Sequence, residues 1–280
     1  MRERRVERLL LLSALSSVAI LTLIIVFIFK EGLPAFRSAG LFSFITGKDW
    51  APSEQLFGIL PMVLGSVWVT LGALILGAPT GVLCAVFLAE FAPPRLSDAA
   101  RVSVQMLAAI PSVVFGFIGL MIVVPIIRDV LGGPGFSVLA SSIVLAIMIL
   151  PTVVSISLDA IEALPRSYKE GAMALGASRW QMVSMVILPS ARSGIFAAVI
   201  LGMGRALGET MAVMMVAGNS LNIPTSVLSP VRTLTSGIAL EMSYASGLHR
   251  NALFAIGIIL LFIILALNLV ASAVTRGSRR

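Results

Sequence analysis

Two charged residues stand where charge is least expected. Residues 194–218 read GIFAAVILGMGRALGETMAVMMVAG, an apolar run interrupted only by Arg205 and Glu209. On one continuous helix spanning 194–217 they would lie near the middle, four residues apart and on one face. An arginine at the centre of a bilayer costs roughly 2.5–3.5 kcal/mol on insertion scales, so its side chain must face protein or water rather than lipid. Two readings are open. Arg205 and Glu209 neutralise each other, although Arg preceding Glu is the weaker order for such a pair. Alternatively, Arg205 offers a planar, permanently charged fork to a tetrahedral oxyanion in a low-dielectric passage. Gly202, Gly204 and Gly208 flank the pair, favour close helix contact and fit either reading.

The rest of the sequence says what kind of scaffold holds that pair. Of the 280 residues, 58% are hydrophobic and 12% are charged, against about 25% charged in soluble domains. Thirty-three charged side chains cannot coat a 29.5 kDa globule, so most of the surface meets lipid. The net charge of +7 comes from basic residues spread through short connections. That scatter argues against nucleic-acid binding. Cys84 is the only cysteine and His249 the only histidine. An internal disulfide, a thiolate metal cluster, a zinc site and a Cys/His catalytic pair are thereby disfavoured. None of Lys30, Lys48 or Lys169 follows the glycines of a P-loop. This chain has no such means of binding ATP.

A helix needs about 20 mostly apolar residues to cross the hydrocarbon core. Runs of that length predict an all-α, polytopic membrane protein with six transmembrane helices at 9–29, 60–88, 102–127, 136–158, 194–217 and 252–274. The first follows Arg2, Arg4, Arg5 and Arg8 but is too long for a cleavable signal, and reads as an uncleaved anchor. Pro61 sits near the start of a long second run, which fits an interfacial first turn or a tilted helix. Pro79, Pro111, Pro125 and Pro151 are expected to kink or end their spans. Placing both termini in the cytoplasm puts 13 of the 20 Lys and Arg on that side, the favoured bias. Residues 30–59 and 218–251 are then external, and 159–193 internal. Trp50 and Phe57, beside Pro52 and Gly58, fit an aromatic belt at the headgroups or a docking surface for an external partner. The expected division is an anchor and external segment at 1–59, a permease-like membrane domain at 60–274 and a cytoplasmic tail at 275–280.

The internal segment reads DAIEALPRSYKEGAMALGASRWQMVSMVILPSARSG. Pro165 can start a helix with Tyr168, Ala172 and Leu175 along one face, and Gly176 can end it. A second short helix is expected from Ser178 toward Leu188, stopping at Pro189. The segment resembles the EAA loop of ABC importer permeases, with Glu170, Ala172, Gly176, Leu188 and Pro189 at matching spacing. Gly171 replaces the usual middle Ala and Val186 the usual Ile. The resemblance implies a coupling helix pair, Glu170, Gly171, Ala172, Gly176, Leu188 and Pro189 included, that docks on an ATPase subunit. Without it, the segment would read as an amphipathic helix on the membrane surface.

The segment RALGETMAV, with AIPSVVFGFIGL and FGILPMVLGSVWVTLGALILGAPTGVLCAVFLAEFAP, is similar to phosphate-specific ABC importer permeases of the PstC type. That likeness runs over about 57–274. It implies a type I ABC importer permease (MetI-like) fold, a PstA-type permease as the other half, a PstB-type ATPase dimer and a PstS-type phosphate-binding protein outside. It also implies that Arg205 and Glu209 line the translocation path, with ATP and Mg bound by the ATPase and no cofactor on this chain. Glu209 could then accept a hydrogen bond from the P–OH of phosphate, a donor that sulfate lacks near neutral pH. The nearest alternatives are a permease for molybdate or sulfate and a stand-alone secondary transporter. An integral-membrane enzyme lacks a convergent His, Cys or acidic cluster in the spans.

Overall fold

The computed structural model describes residues 2–277; Arg279 and Arg280, counted above toward the inner side, lie outside the described residues, as do the side chains of Arg2, Arg4, Arg5, Arg8 and Arg276. Thirteen α-helices and one small hairpin follow in order. They are α1 (Arg2–Ala39), α2 (Leu41–Thr46), β1 (Trp50–Ala51), β2 (Leu56–Phe57), α3 (Leu60–Glu90), α4 (Pro94–Ala109), α5 (Ser112–Ile118), α6 (Val124–Leu131), α7 (Val138–Glu162), α8 (Arg166–Ala174), α9 (Arg179–Met182), α10 (Leu188–Gly208), α11 (Met211–Val216), α12 (Leu234–Glu241) and α13 (Gly247–Gly277). Six stretches are long and apolar enough to cross a membrane: Leu9–Ala39, Leu60–Glu90, Ser112–Leu131, Val138–Glu162, Arg179–Gly208 and Gly247–Val270.

The number of spans matches the sequence pattern, but several boundaries move, and proline explains that of the third span. Ile110 takes an extended conformation (ψ 128°) before Pro111, as the ring of a following proline disfavours α geometry. Residues 94–109 therefore form a separate helix, and the third span begins at Ser112 rather than at 102. A π-helical turn at Gly119–Val123 joins α5 to α6 and precedes Pro125. The first span also runs ten residues past its expected end, through Pro34 to Ala39. It leans on α13 through edge-on contacts of Phe27 with Phe254 and Phe29 with Phe262.

The centre of the bundle is α7, buried along most of its length between α3 and α10. Close approach to α3 depends on small residues. A Cβ on Gly77 would stand 2.9 Å from the Ala146 carbonyl oxygen and 2.9 Å from the Ile149 side chain, and one on Gly81 would stand 2.8 Å from Val153. Ser142 Oγ closes the same interface by donating to the Val69 carbonyl at 3.3 Å. The outward faces of α1, α3 and α5 carry Leu9, Leu12, Leu23, Ile75, Leu83 and Phe117, all exposed. Lipid, not water, is the solvent in which such a surface is stable.

Buried residues fall into three clusters stacked along the bundle. The lower cluster joins Ala85, Leu88, Leu158 and Ile161 to the loop segment through Ala172, Met182, Val183 and Ile187. The upper one joins Phe44, Trp50, Phe57, Ile59 and Met62 to Leu234 and Leu253. Trp50 and Phe57 thus pack inside protein as a facing pair of the hairpin, instead of forming an aromatic belt at the headgroups.

Gly77→Val should force α3 away from α7 and lower stability by about 1–3 kcal/mol or more. A thermal unfolding midpoint in detergent, compared with that of Gly77→Ala, measures it; the larger side chain should lower it further.

Candidate functional site

The fifth span is not one helix through 217. It ends at Gly208, Glu209 is extended (ψ 130°), and the short helix α11 starts at Met211. Arg205 therefore occupies the last turn of α10, where the carbonyl ends of the helix favour a cation. Glu209 lies just past the end. The shared helical face expected for the two residues does not exist, because the backbone turns between them.

Several groups at the break find partners. The Glu209 carbonyl accepts from Thr235 Oγ1 at 2.8 Å, and Glu209 Oε1 accepts from the Ala212 amide at 3.3 Å. Thr210 Oγ1 donates to the Gly208 carbonyl at 3.2 Å. Arg205 has only a long contact, Nη1 to Thr152 Oγ1 of α7 at 3.4 Å. No carboxylate of a described residue lies within ion-pair range of Arg205. Mutual neutralisation of Arg205 and Glu209 is thereby ruled out in this conformation. Both side chains are half-buried.

The flanking glycines divide. Gly202 does pack closely, its Cβ position 3.0 Å from Val153 of α7. Gly204 and Gly208 meet nothing within 4 Å, so they do not serve the close contact within this chain that their spacing suggested. They leave an open strip on α10 on either side of Arg205.

At the lower end, Pro165 precedes α8 and Gly176 turns the chain with φ +83°. Ser178 then caps α9, its Oγ accepting from the Gln181 amide while Gln181 Oε1 accepts from the Ser178 amide. Ala172 and Leu188 pack in the same apolar cluster. Glu170, Gly171, Gly176 and Pro189 are exposed. Pro189 does not stop the helix. The π-helical turn at Val183–Ile187 widens the ladder before Leu188, so the span runs unbroken from Arg179 to Gly208 past a residue that cannot donate. Tyr168 and Leu175 do not join Ala172 against the core: Leu175 is 91% and Trp180 63% exposed. These side chains leave apolar surface exposed on an otherwise polar helix pair, the mark of a protein- or membrane-contact face.

A third constellation was invisible in the sequence. Near the upper end, Glu241 of α12 is buried and accepts from Arg232 Nη1 at 2.5 Å and Trp50 Nε1 at 2.9 Å, with His249 Nε2 at 2.7 Å. Arg232 Nε also donates to the Asn219 carbonyl at 3.2 Å. A cavity of about 590 Å³ opens beside these groups, edged by Gln55, Tyr244 and Ser246. Trp50 and Glu241 are 191 residues apart, and no local pattern links them.

A six-span helical bundle, its fifth span ending beside an arginine that has no carboxylate partner and a short helix pair packed at one end, defines a multi-pass membrane protein. Residues 77–280 match the sequence profile of the family described as binding-protein-dependent transport system inner membrane component, and the chain belongs to that family. It is 41% identical over 255 residues to the probable ABC transporter permease protein YqgH of Bacillus subtilis, covering 89% of this chain and 82% of that one. It is 38% identical over 251 residues to the phosphate transport system permease protein PstC of Haemophilus influenzae (82% and 79% covered). With the protein of that name from Mycobacterium leprae it shares 34% identity over 276 residues (90% and 86% covered).

Among solved structures, the fold matches a bacterial alginate ABC transporter (TM-score 0.68, 19% identity, 95% of this chain and 94% of that chain covered). It also matches the inward-facing MetNI methionine ABC transporter (TM-score 0.64, 18% identity, 83% and 100% covered). The type I importer permease fold implied by the sequence is therefore the one present. As a permease subunit of an ABC transporter the chain is not an enzyme; ATP hydrolysis belongs to a separate subunit, and a binding protein is its other partner.

Glu241→Ala would leave Arg232 partly buried without its counter-charge, a change that costs about 3–5 kcal/mol. The expected result is a lowered unfolding midpoint together with altered Trp50 fluorescence, since the indole loses its acceptor. Glu241→Gln should recover part of both.

Proposed function

We propose that this chain forms half of the pathway by which an ATP-driven importer carries inorganic phosphate across the inner membrane. The observation that carries the proposal is Arg205. It is a permanent cation inside a span, it has no carboxylate partner, and it stands at a helix break beside an open glycine strip. A charge held in low dielectric without a counter-ion is costly, and a passing anion compensates it. Relatives over most of the chain bear the name phosphate transport system permease protein PstC, which favours phosphate over molybdate or sulfate as that anion.

On this reading the other half of the pathway is a PstA-type permease, set against the strip that holds Gly204 and Gly208. A PstS-type protein delivers phosphate at the upper, external end. A PstB-type ATPase dimer, with its ATP and Mg, grips the lower helix pair through Glu170, Gly171 and the exposed Tyr168, Leu175 and Trp180. Both termini are cytoplasmic, as the distribution of positive charge favours.

Transport itself needs no bond chemistry in this chain. The guanidinium presents parallel N–H donors to the oxyanion, and its contact with Thr152 is long enough to yield to a better acceptor. The Glu209 carboxylate already accepts from the Ala212 amide through Oε1, and its other lone pairs can accept from a P–OH group. A fully deprotonated anion offers no such donor and is repelled by that carboxylate. ATP binding draws the ATPase subunits together, and differential contact in the two states opens the pathway to alternate sides.

The test is uptake of labelled phosphate into vesicles holding the four-component complex. Arg205→Ala should cut uptake by about ten- to a hundredfold, the scale of one lost charge-assisted contact, while the ATPase still copurifies. Glu170→Ala should lose the ATPase. Glu209→Gln should narrow the preference for phosphate over sulfate; unchanged discrimination would remove Glu209 from the selectivity role. Full uptake by Arg205→Ala would overturn the proposal.

A further inference from the structure

The lower helix pair is tied to the bundle by an ion pair. Glu90 is the last residue of α3, and its side chain is only 5% exposed. Lys169 of α8 places Nζ 2.6 Å from Glu90 Oε1, and no hydrogen-bond donor of a described residue reaches that oxygen in good geometry. Lys169 is the residue immediately before Glu170. The carboxylate is thus inside the protein, and its counter-charge is on the neighbouring, partner-facing helix.

An ion pair whose carboxylate is buried, while its lysine is 31% exposed, is a strong tether in one sense. Separating the ions leaves a charge with neither water nor partner, so the two elements move together or not at all. Other contacts of α8 include Ala172 in the lower apolar cluster and packing against α9 and the π-helical turn at Val183–Ile187. The side chains of Tyr168 and Leu175 are exposed and contribute little to holding it.

The other end of α3 is tied as firmly. Ser66 Oγ accepts from the Leu234 amide at 2.9 Å, at the start of α12. A Cβ on Gly65 would stand 2.5 Å from the Arg232 carbonyl oxygen, so the backbone that carries the Arg232–Glu241 pair rests directly on α3. One unbroken helix of 31 residues therefore touches the lower helix pair at Glu90 and the upper charged cluster at Gly65 and Ser66. By contrast the third and fifth spans contain π-helical turns, and the fifth ends in a break at Glu209.

We infer that α3 is the strut that links the ATPase-facing helix pair to the external cap, and that Glu90 is the positioning residue that makes α8 and α3 move as one body. The inference rests on the transport reading above for its partners, and on the geometry for the strut. Displacement of α8 by the ATPase is passed to α3 through the Lys169–Glu90 pair. At its far end α3 shifts Leu234 and Arg232, and with them Thr235, whose hydroxyl holds the Glu209 carbonyl at the break. In the reverse sense, a binding protein seated on the upper end biases α8, and so the ATPase.

The test uses the complete importer in lipid vesicles, with Lys169→Glu, Glu90→Lys and the exchanged pair. Three quantities are read: copurification of the ATPase, basal ATP hydrolysis, and its stimulation by the loaded binding protein. Each single variant should retain the ATPase and basal hydrolysis but lose stimulation by about tenfold or more, the scale set by an unpaired buried charge. The exchanged pair should return to within about threefold of the parent protein, the limit set by imperfect geometry. Should a single variant fail to assemble, Glu90→Gln with Lys169→Met removes both charges without leaving either one buried alone; it should assemble and show weakened stimulation. Loss of the ATPase and of stimulation in parallel, with no recovery on exchange, would show that Lys169 contacts the ATPase directly and would overturn the strut, as would full stimulation in all variants. Stimulation, not phosphate flux, is the readout. A parent complex that is stimulated but carries a different solute refutes the phosphate assignment and leaves this test valid.

Discussion

Inside a bilayer no water is available to satisfy a backbone group, and a helix that stops there must be completed by the protein. At residues 209–210, where the fifth span ends, the protein supplies those partners itself. Thr235 reaches in from α12 to hold the Glu209 carbonyl, and the Glu209 carboxylate holds the Ala212 amide. The extended backbone at Glu209 separates it from Arg205 and leaves the guanidinium without a counter-ion. If the helix had continued, the two would lie one turn apart on a common face and the charge would have a ready partner.

Around that break the molecule is organised as two packed ends and a connecting body. The lower end buries Ala172 and shows Leu175 and Trp180. The upper end gathers segments that are far apart in sequence: the hairpin, the 218–233 stretch and the start of α13. Its cohesion comes from one buried carboxylate with three partners and from backbone bonds such as Val138 to Ser229 and Val231 to Ala217. A binding-protein-dependent transporter needs both ends to respond to each other. α3 is continuous through Pro79, whereas the third and fifth spans carry π-helical turns.

The fold was legible because membrane spans are written in composition. Length and hydropathy located all six, and the spacing of Glu170, Ala172 and Gly176 located the helix pair and its turn. What was not legible depended on long-range satisfaction of polar groups. A continuous 194–217 helix is what hydropathy predicts, since Gly208, Glu209 and Thr210 carry only a weak local signal for a break and the stabilising hydroxyl comes from residue 235. Pro189 carried the opposite error: a proline reads as a stop unless the preceding turn is π-helical, and nothing in VSMVI announces that. Trp50 read as an interfacial aromatic because its acceptor lies 191 residues away. Glu90 and Lys169 are separated by 79 positions and were not connected by any pattern.

The central claim is that position 205 meets solute on a water-accessible path. In a Cys84→Ala background, which removes the only native thiol, Arg205→Cys can be exposed to a small, charged, membrane-impermeant thiol reagent in the assembled complex. Labelling in at least one nucleotide state, and slowing of that labelling by phosphate supplied on its binding protein, is the result this account predicts. A thiol that stays unreactive in the nucleotide-free, ATP-bound and ADP-bound complexes alike would place the residue in a dry helix contact and contradict it.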